Sequence, residues 1–369
     1  MQEFSLFIAP KADLPVFQDG DTAPLVLKEP PALSLSAKHA VLMTAEGVLL
    51  YGKNEHIPAE MASTTKVMTA LLAVEYLERV PLSKTARISK NAVGVEGSSV
   101  YLEENEEIAV LDLVYALMLA SANDAAIALA EEIGGTVEDF VVLMNEKAKA
   151  LGLDSTHFEN PHGLPSENHY TTAYALGKLM AKAMAHPLFA RITATKHYTM
   201  QSGNATRHLA NHNRLLSEDG VLGGKTGFTK RAGRCLVSVC EREGARLFAV
   251  TFSAPDDWND HRALYDYGYT HYEAVRVPAE RYTLPVIAGK TTTVTVASPE
   301  AVLVLPKERE ALDFFRMAPR FVYAPIAQGD TVGTLTISLS GKTLITLPYT
   351  VEDTVKEEKT PSFWERLFS

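Results

Sequence analysis

The chain has 369 residues, long enough for two domains and a large core, and its apolar and charged fractions are ordinary for a globular protein. Its net charge of −10 argues against nucleic-acid binding and against a broad electrostatic grip on anionic lipid. No apolar run approaches membrane-spanning length. The two cysteines, Cys235 and Cys240, have an odd separation that puts them on opposite faces of a strand, so a mutual disulfide is not expected.

Residues 1–32 read as a loose lead-in rich in Pro and Asp. The stretch from Met1 to Pro10 lacks the basic start and apolar run of a signal peptide, so either the protein stays inside the cell or a leader has been cut away or replaced. Ala40–Thr44 and Val48–Tyr51 flank Ala45-Glu46-Gly47, which predicts a hairpin. Helical spacing follows over Thr64–Tyr76. An almost wholly apolar helix is expected over Leu111–Ala120, and two more helices over Asp124–Ile133 and Val137–Leu151. His157–Tyr170 is loop, punctuated by Pro161, Gly163 and Pro165, and Thr172–Ala185 is again helical.

After Gly220 the pattern turns to strands at Lys225–Phe228, Cys235–Cys240 and Leu247–Phe252, closed by a helix over Trp258–Tyr267. The hairpin and these strands predict one antiparallel sheet beside a helical cluster, an α+β domain spanning 33–276. From 277 to 352 the segments Thr291–Val296, Val302–Leu305, Thr331–Leu339 and Thr343–Leu347 are short and β-branched, as in a small all-β sandwich. Residues 353–369 read as a charged linker and a short tail whose Phe363, Trp364, Leu367 and Phe368 share one helical side. That tail either packs on its own body or starts an amphipathic membrane foot.

Three short words carry chemistry: Ser63-Thr64-Thr65-Lys66, Ser121-Ala122-Asn123 and Lys225-Thr226-Gly227. Each is weak alone, and helix capping explains the first two on their own terms. In this order, at a helix start, between helices and on a strand, they describe a serine acyl-transfer site activated by lysine. Ser63 and Lys66 stand three apart on one helical face, and serine needs a base to become nucleophilic. Lys66 serves only if neutral, which at pH 7 costs about 4–5 kcal/mol from an ordinary value near 10.4. Burial and a second cation, Lys225, are the available means. Ser121 offers a hydroxyl to relay a proton to the leaving amine, and Asn123 an amide to orient lysine and substrate. Lys225 and Thr226 suit a terminal carboxylate, Gly227 admits close approach, and the amides of Ser63 and Phe228 are candidate oxyanion donors.

The rival readings fail on particular residues. Gly224-Lys225-Thr226 resembles the end of a phosphate loop, but Asp219 stands where its first glycine belongs. Neither G-x-S-x-G nor H-E-x-x-H occurs. His157, His162, His169, His208 and His212 lie in loop-like sequence without ligand spacing, so no metal or cofactor is expected.

With these blocks, and with Glu96-Gly97-Ser98-Ser99, Phe158–Leu164 and Asn211–Leu216, the chain resembles the D-alanyl-D-alanine carboxypeptidases among the low-molecular-mass penicillin-binding proteins. The resemblance runs from about Leu33 to Tyr272. It implies a β-lactamase/DD-peptidase-like catalytic domain with a β-rich domain after it, working outside the bacterial cytoplasmic membrane. It implies Ser63 acylated by a stem peptide of peptidoglycan ending in D-Ala-D-Ala or by β-lactams, Lys66 as proton acceptor, Ser121 and Asn123 as the second element, and Lys225 with Thr226 as substrate binders. Arg262 is the expected further carboxylate-binding arginine, against the plain reading of an exposed helix arginine. Leu222 before Gly223-Gly224 and Ala175 depart from the family pattern. Two alternatives stay open: a β-lactamase of the same fold, for which Glu159 and Glu167 are the only loop carboxylates, and a penicillin sensor that acylates without turnover.

Overall fold

The computed structural model describes residues 32–203 and 205–358; most of the lead-in and the apolar tail at Phe363–Phe368 lie outside the described residues. Strands β1 (His39–Thr44) and β2 (Leu49–Lys53) form the expected hairpin, and a single 3-10 turn over Ala62–Thr65 opens helix α1 (Lys66–Leu77). Short strands β3 (Thr85–Arg87) and β4 (Glu107–Ala109) pair ahead of helices α2 (Val110–Leu119), α3 (Asn123–Gly134) and α4 (Val137–Ala150). Helices α5 (Ala173–Met184) and α6 (Pro187–Ala194) then lead into the hairpin β5 (His197–Ser202)–β6 (Ala205–Ala210), strands β7 (Val221–Thr229), β8 (Gly233–Arg242) and β9 (Ala245–Phe252), and helix α7 (Asp257–His271).

The main sheet runs β2-β1-β9-β8-β7, antiparallel throughout, with β7 at one edge. Its alternation sorts two cores. Val237, Val239 and Cys235 face the cluster of α1 to α6, whereas Cys240, Leu247 and Ala249 face α7. Cys235 and Cys240 thus lie in different cores, and both are free thiols. Helix α2 is buried nearly all round, as its apolar composition requires. Under the sheet, Ser238 Oγ lies 2.6 Å from both His261 Nδ1 and Tyr265 OH, tying β8 to α7 by a fully buried polar knot.

Strand β10 (Tyr272–Val277) pairs with β13 (Ala301–Pro306), so the end of the first expected unit is stitched to the second. The remaining β-rich part holds β11 (Arg281–Ile287), β12 (Thr293–Ala297), β14 (Leu312–Met317), β15 (Val322–Tyr323), β16 (Thr331–Leu339) and β17 (Lys342–Val351) in one six-stranded sheet ordered β14-β16-β17-β12-β11-β15. One of its buried clusters is largely β-branched, with Val286, Val294, Val296 and Val351, and a second holds Leu335, Ile337, Leu347 and Tyr349. The stretch beyond Val351, expected as linker, continues in bridges of Val355 with Ile326 and of Glu357 with Gly289.

Candidate active site

Ser63 sits in the 3-10 turn that hands over to α1, and Lys66 begins the helix, so the turn brings their side chains together. Lys66 Nζ stands 2.9 Å from Ser63 Oγ, 2.7 Å from Asn123 Oδ1 and 2.6 Å from the His162 carbonyl oxygen, with no exposure to solvent. Asn123 Nδ2 donates to the Glu96 carbonyl at 2.6 Å, which fixes Oδ1 toward the lysine. Two of the three neighbours therefore only accept. A neutral amine satisfies both with its two N–H groups and keeps its lone pair for the Ser63 hydroxyl proton.

Electrostatics favour that neutral state. Burial, with Lys225 close by, pushes the Lys66 amine well below the usual lysine range, although Asp124 pulls the other way. Lys225 is itself buried, which lowers it to about 7. Among the described residues no carboxylate contacts either amine; the Lys66 acceptors are a hydroxyl, an amide and a backbone carbonyl, and Lys225 Nζ donates to the Thr226 carbonyl at 2.9 Å.

Strand β7 brings the third word against the first. A methyl group on Gly227 would come within 3.0 Å of the Ser63 amide nitrogen, so this glycine permits the approach. Thr193 Oγ1 donates to the Gly224 carbonyl and accepts from its amide, both at 3.0 Å, on the outer side of the edge. With a period of two, Thr226 and Phe228 turn their backbone groups the same way, which suits an extended peptide laid along β7.

A roof that the residue patterns did not reveal is the 157–170 loop. Gly163, at φ +92, packs so tightly that a β-carbon there would fall 1.9 Å from the Ala62 carbonyl oxygen. His169 Nδ1 accepts from the Glu159 amide, so Nε2 carries the proton and donates to Thr65 Oγ1 at 2.7 Å; Thr65 in turn donates to the Ala62 carbonyl. Burial lowers His169 to about 4 and His162 to about 3, the latter helped by Lys66. The signal available in sequence was Pro161-His162-Gly163 in a loop, which gave no hint that the His162 backbone carbonyl would hold the lysine.

A cleft of about 570 Å³ is lined by Ser63, Ser98, Ser121, His212, Thr226, Gly227, Phe228, Arg234 and Trp258 among others. Ser63, Ser121, Thr226, Gly227 and Phe228 therefore meet in one cavity, with Lys66, Asn123 and Lys225 buried beside it. Ser121 takes φ +60, uncommon for a serine, at the break between α2 and α3. Arg262 is not part of the cleft wall: Nη2 pairs with Glu218 at 2.6 Å and Nη1 donates to Asn259. Arg234, which the residue patterns did not single out, lines the cleft instead. Asp257 accepts from its Nε and Nη2 at 3.0 and 2.7 Å, and Trp258 lies under its guanidinium at 5.5 Å. Glu159 binds the Asn168 amide at 3.0 Å rather than facing the serine. Among the described residues no cluster of metal-ligating side chains occurs.

Residues 26–256 match the family model described as D-alanyl-D-alanine carboxypeptidase, and residues 279–357 match the penicillin-binding protein 5 C-terminal domain. The chain belongs to the D-alanyl-D-alanine carboxypeptidase family. It is 32% identical to the D-alanyl-D-alanine carboxypeptidase DacF of Bacillus subtilis, covering 92% of this chain and 91% of that one. It is also 32% identical to DacC of Escherichia coli over 88% of this chain and 86% of that one. Among solved structures it resembles penicillin-binding protein 5 of Haemophilus influenzae, with a TM-score of 0.73, 26% identity and 88% and 99% of the two chains covered. PBP3 of Streptococcus pneumoniae, described as a peptidoglycan synthesis regulatory factor, superposes with a TM-score of 0.75 at 26% identity, over 88% of this chain and 100% of that one. These neighbours carry a catalytic domain followed by a β domain, the α+β architecture expected from the sequence.

Proposed function

We propose that this chain is a serine-type carboxypeptidase that removes the terminal D-alanine from peptidoglycan stem peptides ending in D-Ala-D-Ala. One observation carries the reading: a fully buried Lys66 amine, held by two pure acceptors and 2.9 Å from Ser63 Oγ. In this reading Ser63 Oγ attacks the carbonyl of the penultimate residue as its proton passes to Lys66 Nζ. The oxyanion is held by the amides of Ser63 and Phe228, each donor of this kind contributing roughly 3–4 kcal/mol to the transition state. The proton returns through Ser121 to the departing amine, the C–N bond breaks, and D-alanine leaves. Water, deprotonated by Lys66, then cleaves the Ser63 ester.

The C-terminal carboxylate of the substrate belongs with Lys225, Thr226 and Arg234, whose guanidinium is pre-oriented by Asp257 and Trp258 at the cleft wall. β-Lactams, as acylating mimics, occupy the same place. The engagement of Glu159 with Asn168 speaks against a lactamase-like water base from this carboxylate.

Mass spectrometry after penicillin treatment, together with D-alanine release from diacetyl-lysyl-D-Ala-D-Ala, tests the reading. An adduct on the peptide bearing Ser63 and steady turnover are expected. An adduct elsewhere overturns the nucleophile, and rapid nitrocefin hydrolysis without D-alanine release overturns the substrate.

The finer proposals on location are work at the outer face of the cytoplasmic membrane and peripheral contact through the Phe363–Phe368 segment. No helix among the described residues is long and apolar enough to cross a bilayer. Labelling of intact cells by a membrane-impermeant fluorescent penicillin checks the first, and vesicle flotation of the full chain against one ending at Glu358 checks the second.

A further inference from the structure

Tyr101 is 83% exposed, the most exposed of the large apolar side chains among the described residues, and it has φ +57, a left-handed backbone that costs a tyrosine free energy. The surrounding groups hold it there. Arg207, reaching over from β6, donates through Nε to the Val100 carbonyl at 2.8 Å and through Nη2 to the Tyr101 carbonyl at 2.9 Å, while Glu106 clamps the same guanidinium. Ser99 Oγ accepts from the Tyr101 amide at 2.9 Å and donates to Asp124 at 2.6 Å. Asp124 also accepts from the Val100 and Leu102 amides on either side. Asp124 directly follows Asn123, and Ser98, three residues before Tyr101, lines the catalytic cleft. The ring is thus presented to solvent within about 10 Å of chain from the cleft wall.

We infer that Tyr101 is a stacking platform for a neutral sugar ring of the polymer that carries the stem peptide. The inference rests on the carboxypeptidase reading for its substrate and goes beyond it to the non-reacting part. An aromatic face receives the C–H side of a pyranose by dispersion and desolvation. The neighbouring exposed carboxylates of Glu103 and Glu104 disfavour an anionic occupant and tolerate an uncharged N-acetylated sugar. Contact with the polymer beyond the cleft is where remote binding energy can assist a reaction.

Tyr101→Asn is the informative variant, since asparagine accepts the left-handed backbone yet removes the ring; Tyr101→Phe keeps it. kcat/KM is measured for one D-Ala-D-Ala pentapeptide with and without its N-acetylated disaccharide. The sugar is expected to raise kcat/KM about tenfold in the native protein and the Phe variant, and the gain is expected to vanish in the Asn variant. A sugar that brings no gain in the native protein, or an equal gain in the Asn variant, overturns the platform. Saturation-transfer NMR with N,N′-diacetylchitobiose decides the matter apart from turnover. Signals lost only in the Asn variant support it, and absent or unchanged signals refute it, even if neither peptide is cleaved and the carboxypeptidase reading fails.

Discussion

Lys66 and Arg316 sit in opposite electrostatic worlds. In the β-rich part exposed guanidinium groups meet carboxylates near water: Arg316 with Glu280, Arg281 with Glu352, Arg276 with Glu300. Beside the candidate cleft two amines are buried and touch neutral acceptors. Surface pairs contribute little and tolerate exchange. A buried, unpaired amine is retained against its desolvation cost, and in the proposed mechanism that cost is what would make it a base.

The sharpest test of this contrast exchanges the two cations. Lys66→Arg installs a group that cannot shed its proton, so acylation by penicillin is expected to fall by about 10³-fold or more, with a lowered melting temperature. Arg316→Lys should leave both unchanged; full acylation by the Lys66→Arg protein would break the comparison.

A second test concerns pH. His169 titrates normally when unfolded, near 6.5, but only at about 4 in the fold. Between those values the unfolded chain binds more protons, so stability falls as pH drops from about 6.5 to about 4, by about 3 kcal/mol from this group. His169→Gln should flatten that limb in urea titrations; an unchanged slope would show that the histidine is not held neutral. Lys225 gives a further, functional limb: kcat/KM should decline above about 7 as its charge is lost, and decline on the acid side as Lys66 is protonated.

The smaller effects discriminate between arginines. Arg234→Gln is expected to lower kcat/KM about 10- to 100-fold, mainly through KM, whereas Arg262→Gln should stay within about twofold. A reversed result would return the carboxylate to the α7 residue.

Much of the catalytic part was legible because its constraints are local. The almost wholly apolar helix at Leu111–Ala120 and the strand pattern at Cys235–Cys240 each appear where expected. The three words marked the residues that the fold gathers at one cleft. What stayed hidden depends on tertiary contact. The His162 carbonyl is backbone and has no residue signature, and Arg234 gains meaning only beside Asp257 and Trp258, more than twenty residues later. The hairpin over 197–210 escaped notice because its outward positions are polar and its inward ones few, Met200 and Leu209 among them.

The hydroxyl of Thr193 has a consequence outside catalysis. By capping both backbone groups of Gly224 it shortens the open margin of β7 to the few residues around Thr226 and Phe228. On this edge that leaves a template long enough for one short guest strand but too brief for another molecule's sheet to zip onto, so the margin proposed to take a ligand is trimmed against self-association through β7.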